Sequence, residues 1–139
     1  MHEALKEARK ALGAGEVPVG AVVVCKNRII ARAHNQTEKL TDATAHAEML
    51  AMTAAAHYLG SKYLNECTLY VTLEPCLMCA GALAWVQLQR LVFGASDPQR
   101  GYRLVQGKVL HPRTEVTTGI AAEEAKELID TFFLSIRQK

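Results

Sequence analysis

No apolar run in this chain approaches the ~18 residues that a membrane-spanning helix needs, which argues against an integral helical membrane protein. A signal-peptide core is missing too, since MHEALKEARKAL is charged and amphipathic from its first residues. Repeats, low-complexity tracts and linker-like stretches are also lacking, so a single domain over residues 1–139 is expected. Half of the residues are hydrophobic and 22% are charged, a balance that excludes a disordered chain. The expectation is a soluble, cytoplasmic, globular protein. The net charge of +2 is mildly basic, compatible with nucleic acid without pointing to it. Acid is missing between Gln99 and Arg113, where Arg100, Arg103, Lys108 and Arg113 occur. On charge alone that stretch reads as a solvated positive face.

Cysteine is sparse, with Cys25, Cys67, Cys76 and Cys79. In a cytosolic chain such spacing favours metal binding or catalysis over a disulfide framework. Residues 2–13 carry Ala4, Leu5, Ala8, Ala11 and Leu12 at helical spacing, and Gly13 is the expected stop. VPVGAVVVC and RIIARAH read as a hairpin turning at Lys26-Asn27. A helix follows from about Ala45 to Tyr58, stopped by Gly60. Then come a strand, TLYVTLE, an apolar helix, CLMCAGALAWVQL, and a buried strand, RLVFGA. Alternating strands and helices imply an α/β sandwich with parallel pairings after the opening hairpin. EVTTGI suits a short strand. The last helix places Ala125, Leu128, Ile129, Phe132 and Phe133 on one face. Cys25 and Cys67 read as small core hydrophobes, and His111 lies in a loop before Pro112.

Pro75 follows a strand and suits the first turn of a helix, which puts Cys76 and Cys79 together in that turn. The helix dipole there favours the thiolate, the form that ligates metal or attacks as a nucleophile. A thioredoxin-like dithiol and a metal site are equally consistent with this setting. TAHAEM separates them. His46 and Glu48 open another helix that follows a strand, and helices of this kind begin on one edge of a sheet, where ligands bind. One histidine and two cysteines make three ligands, the number typical of catalytic zinc with a water in fourth place. Glu48 does not share a helix face with His46, so it is a poor co-ligand. Its place is beside the metal as general acid/base; alone, it would only complement the helix dipole.

His-x-Glu followed by Pro-Cys-x-x-Cys is the signature of zinc nucleobase deaminases. The chain resembles the cytidine/deoxycytidylate deaminase superfamily, and within it the bacterial tRNA-specific adenosine deaminases. The stretches EVPVGAVVV, AHN, TAHAEMLA, CTLYVTLEPCLMCAGALAW and RLVFGASDP carry the resemblance. It implies a three-layer α/β/α sandwich around a mixed five-stranded sheet, and conversion of adenosine to inosine at the wobble position of tRNA. His46, Cys76 and Cys79 would bind one Zn2+, and Glu48 would shuttle protons. Asn35 and the backbone N–H of Ala47 would meet the base, Val17 and Pro18 would line its pocket, and Asp97 would lie near the nucleic-acid strand.

Downstream of Asp97 the chain departs from the family's Gly-Ala-Ala-Gly-Ser-like stretch with Arg100-Gly101-Tyr102-Arg103-Leu104. Arg100, Arg103, Lys108, Arg113, Arg137 and Lys139 are the candidate contacts to the anticodon loop. The second apolar helix and the resemblance together suggest a homodimer, with Ala80, Leu83 and Ala84 as contacts. Deamination of free guanine or cytosine is the alternative within the class. A thiol–disulfide protein and a structural-zinc module are the alternatives outside it.

Overall fold

The computed structural model describes residues 1–137; Lys139, one of the expected RNA contacts, lies outside them. The elements are α1 (His2–Gly13), β1 (Gly20–Cys25), β2 (Arg28–His34), α2 (Ala47–Leu59), β3 (Cys67–Leu73), α3 (Leu77–Trp85) and β4 (Arg90–Ala95). A 3-10 turn (Tyr102–Leu104), β5 (Glu115–Thr118) and α4 (Ala122–Arg137) complete the chain. The strands form one mixed sheet in the order β2-β1-β3-β4-β5. With helices on both faces it is the expected three-layer sandwich.

Local chemistry accounts for the element ends. Lys26 and Asn27 both have positive φ (51° and 62°), the turn geometry whose twist suits a two-residue hairpin. Gly60 closes α2 in the left-handed region, where a missing Cβ removes the steric cost. The expected helix over residues 76–88 is shorter. α3 stops at Trp85, Gln87 turns left-handed (φ 57°), and Leu88 is buried outside the helix.

The pairing departs from expectation in one respect. β3 runs antiparallel to β1, with Cys25 opposite Cys67, and only β3–β4 and β4–β5 are parallel. The α2 crossover therefore carries the chain from β2 over β1, so that β3 pairs on the far side of β1. Both thiols are buried, as core residues should be. Burial and the neighbouring Cys25 push the Cys67 thiol up to about 12.

α2 and α3 lay Ala47, Ala51, Met52, Ala55, Ala80 and Leu83 over Val23, Leu69, Val71 and Phe93. Burying a side chain such as Phe93 stabilises the fold by roughly 1.5–3 kcal/mol. α1 and α4 cover the other face. α1 approaches so closely that a Cβ at Gly20 would collide with the backbone at Ala4 and Ala8. The outer face of α4 is more exposed than its pattern implies: Ala125 is buried and Leu128, Ile129 and Phe132 partly so, but Phe133 is exposed.

No α-helix connects β4 to β5, only the 3-10 turn at Tyr102–Leu104. Residues 97–114 return instead as an irregular segment along the core. Tyr102 packs edge-on against Phe93, with centroids 6.3 Å apart, and Val109 and Leu110 pack behind it. The segment ends where β4 begins, with Thr114 Oγ1 donating to the Leu88 carbonyl at 2.5 Å.

Candidate active site

His46 and Cys76 hold equivalent positions: each is the N-cap of its helix, with extended backbone (φ −75°, ψ 152° and φ −72°, ψ 172°). Cys79 follows as the third helical residue of α3. Pro75 consequently sits outside α3, before the N-cap, and not at the expected first helical position. Its role is to keep the chain extended as it leaves β3.

These N-caps bring three donors together. His46 Nδ1 lies 3.7 Å from Cys76 Sγ and 3.5 Å from Cys79 Sγ, and all three ligand atoms fall within 4.8 Å of one another. A tetrahedral ion bound at ~2.0–2.1 Å to nitrogen and ~2.3 Å to sulfur separates those donors by about 3.5–3.6 Å. The observed distances match that tetrahedron edge, so the three residues could hold such an ion. Electrostatics point the same way. A hydrogen bond from Cys79, together with His46, pulls the Cys76 thiol down to about 4. Its bond to Cys76, and then burial, push the Cys79 thiol up. The bond to Cys76 raises His46. Lowering Cys76 favours its thiolate, the form that ligates a metal.

Glu48 is the second residue of α2 and is only 4% exposed. Burial raises its carboxyl to about 7, where it can both take and give a proton near neutral pH. It reaches the Cys79 thiol but is not one of the three clustered ligands.

Asn35 is buried at the end of β2, and its N–H donates to the Val19 carbonyl (3.1 Å). That bond sets Val17–Val19 beside it. Pro18 is fully buried and Val17 only partly, so Val17 alone of the two offers surface to a pocket. The Ala47 N–H, expected to face the base, instead donates to Asn35 Oδ1 at 2.7 Å. Asp97 is half-buried, and its Oδ1 accepts the N–H groups of Gln99 and Arg100, both at 3.0 Å.

The cationic residues do not form one rim. Arg100 and Lys108 are exposed, and Arg137 is exposed at the end of α4. Arg103 is exposed too, at 44% of its side chain, but its guanidinium donates to the buried Glu74 carboxylate at 3.1 Å. Arg113 lies at the wrong end of the sheet. Thr114 and Glu115 dock at the start of β4, whereas the cysteines follow the other ends of the parallel strands, about 16–20 Å of extended chain away. His111, which accepts the Arg113 N–H, is remote for the same reason. A cavity of about 410 Å³ beside Cys25 and Cys67 also lies at that far end, and none of the candidate site residues lines it.

Besides Glu7, which pairs with Lys10 on α1, two buried carboxylates escaped the sequence reading. Glu16 accepts the N–H groups of Glu38 (3.1 Å) and Lys39 (2.9 Å) and the Thr37 hydroxyl (3.3 Å). Glu74 accepts the N–H groups of Asp97 (3.0 Å) and Arg103 (3.1 Å). They hold the loops after β2 and β4 respectively. Their signal was available: each is a lone acid against a strand-like apolar run, and glutamate is seldom buried unless paired.

Comparison with known proteins agrees with this geometry. The family model of MafB19-like deaminases matches residues 1–137. The tRNA-specific adenosine deaminase of Bacillus subtilis is 46% identical, covering all of this chain and 89% of its own. A solved structure of tRNA:A34 deaminases, described for A-to-I editing at the wobble position of transfer RNA, superposes with a TM-score of 0.86. It is 42% identical and covers 92% of this chain and 96% of its own. The guanine deaminase of Nitrosomonas europaea superposes with a TM-score of 0.78 at 25% identity, over 93% of this chain and 80% of its own.

Proposed function

The chain belongs to the MafB19-like deaminase family, and on that footing we propose that it converts adenosine to inosine at the wobble position of tRNA. The observation that carries this reading is the convergence of His46, Cys76 and Cys79, with the buried Glu48 beside them, at one edge of the sheet. Relatives 46% and 44% identical, named as tRNA-specific adenosine deaminases, support the substrate.

In this reading His46, Cys76 and Cys79 would hold one Zn2+, which when bound would supply the Lewis acidity that lowers the pKa of water toward ~7. Glu48 is the catalytic residue. It accepts one proton from the attacking water and passes it to the purine ring nitrogen, then takes the second from the hydroxyl added to the ring carbon and gives it to the amino group, which leaves as ammonia. Its raised pKa suits both directions of transfer. Asn35 orients the target base and Val17 closes one side of the pocket. The adenosine must be splayed out of its loop to enter.

The protein acts as a single domain, in the cytoplasm and as a homodimer. Of the expected dimer contacts, Ala80 and Leu83 are wholly buried in the core, whereas Ala84 is partly exposed. α3 instead exposes Leu77, Met78 and, at 84%, Trp85.

The substrate is tested by following ammonia release from an anticodon stem-loop and from free adenosine, guanine and cytosine. Turnover of the stem-loop, with inosine appearing in the RNA, should far exceed the others. Rapid turnover of guanine with no inosine in RNA would replace this reading with a free-base deaminase.

A further inference from the structure

The Arg100–Leu104 stretch, where the chain departs from the family it resembles, is folded inward onto the turn that carries Cys76. The buried Glu74, two residues ahead of Cys76, accepts the Asp97 and Arg103 N–H groups and, at 3.1 Å, the Arg103 guanidinium. The same guanidinium nitrogen donates to Ser96 Oγ at 2.8 Å, and the guanidinium carbon stands 4.8 Å from the centre of the Phe93 ring. Gly101 pairs with Cys76 as an isolated bridge, and a Cβ there would collide with the Glu74 carboxylate. The Tyr102 N–H donates to the Pro75 carbonyl at 2.9 Å.

We infer that Glu74 and Arg103 are positioning residues: their ion pair clamps the 97–103 loop to the Cys76 turn and so sets the rim against which an RNA strand lies. Although its side chain is 44% exposed, Arg103 is then held by Glu74 and acts through the loop, not through a phosphate of its own. Moving its guanidinium to a phosphate would strand a buried carboxylate without its partner, which is strongly unfavourable, and would forfeit the stack on Phe93. Arg100 is exposed and, among the described residues, forms no ion pair, so it is free to meet a phosphate.

This inference rests on the RNA reading above. The test uses the zinc-loaded full-length protein and an anticodon stem-loop, measuring kcat, KM and the salt dependence of binding. Arg103→Ala and Glu74→Gln should each raise KM about tenfold with little change in kcat. The double variant should be no worse than either single one, as coupled residues behave. The slope of log K against log salt should stay at its wild-type value, whereas Arg100→Ala should reduce it by ~0.7. Arg103→Lys, which keeps the charge but loses the planar fork and stack, should leave KM raised; it also serves if Glu74→Gln does not fold. A reduced salt slope in Arg103→Ala, rescue by lysine, or additive effects would overturn the inference. If the wild-type protein neither binds nor deaminates the stem-loop, the RNA reading fails instead. Amide exchange of residues 97–103 then judges the clamp alone: it should quicken about tenfold in Arg103→Ala, and an unchanged rate sinks it.

Discussion

Asn35 and Ala47 are 12 residues apart, and the buried Asn35 Oδ1 accepts the Ala47 N–H at 2.7 Å. The first amide of α2 has no partner within its helix, and the His46 side chain does not cap it. Asn35 therefore caps α2 from the neighbouring strand and ties β2 to the residue after His46. Asn35→Ala removes the acceptor and should destabilise the protein by about 1–3 kcal/mol, with zinc retained less tightly. Asn35→Asp keeps an acceptor and should recover part of that loss. Denaturant unfolding and metal analysis measure both, and an Asn35→Ala variant as stable as wild type would show that the cap carries no weight.

Glu48 and the three clustered donors should separate cleanly on mutation. Glu48→Gln should keep one zinc per chain and lose about 10²–10⁴ in kcat. Cys79→Ala should lose the metal and the activity together, as should prolonged chelation, with activity returning on adding zinc. Loss of zinc from Glu48→Gln would make that residue a ligand. A metal-free protein with a reversible Cys76–Cys79 disulfide would favour thiol–disulfide chemistry instead.

Glu16 governs an acid limb of stability. Burial alone would raise its carboxyl, but the Lys39 and Glu38 amides and the Thr37 hydroxyl outweigh it and hold it below the usual carboxylate range. A carboxyl depressed in the folded state stabilises fully above its unfolded value and loses that contribution as pH falls through the folded one. Unfolding free energy should therefore begin to drop below about pH 4.5. Glu16→Gln should be less stable at neutral pH and show a shallower acid decline. Parallel curves for variant and wild type would exclude Glu16 as the source.

Trp85 tests association. An indole 84% exposed on an apolar helix face is the kind of surface that a partner covers. Light scattering should give twice the 15.2 kDa chain mass, and Trp85→Glu should shift the protein toward monomer with its zinc retained. A wild-type protein that is monomeric at micromolar concentration would end the idea.

Much of the site was legible because its geometry is local. Cys76, Cys79, His46 and Glu48 owe their placement to where α2 and α3 begin, and a few neighbouring residues decide a helix start. The hairpin turn at Lys26-Asn27 and the stop at Gly60 were readable for the same reason. The positive stretch is exposed at Arg100, Arg103 and Lys108, as a solvated face should be, but charge along a sequence carries no direction. Arg103 pairs with Glu74, and Arg113 lies at the far end of the strands.

By itself, the sequence determined the order of helices and strands and the chemistry at the helix starts. Caps, turns and ligand spacing act over a few residues and need no distant partner. Tertiary structure decided that β3 would join β1 antiparallel, that Glu16 and Glu74 would be buried, and that Trp85 would remain exposed. Those outcomes depend on what lies across the sheet or around the loop, and a carboxylate tolerates burial only once distant N–H groups or a guanidinium arrive to pair with it.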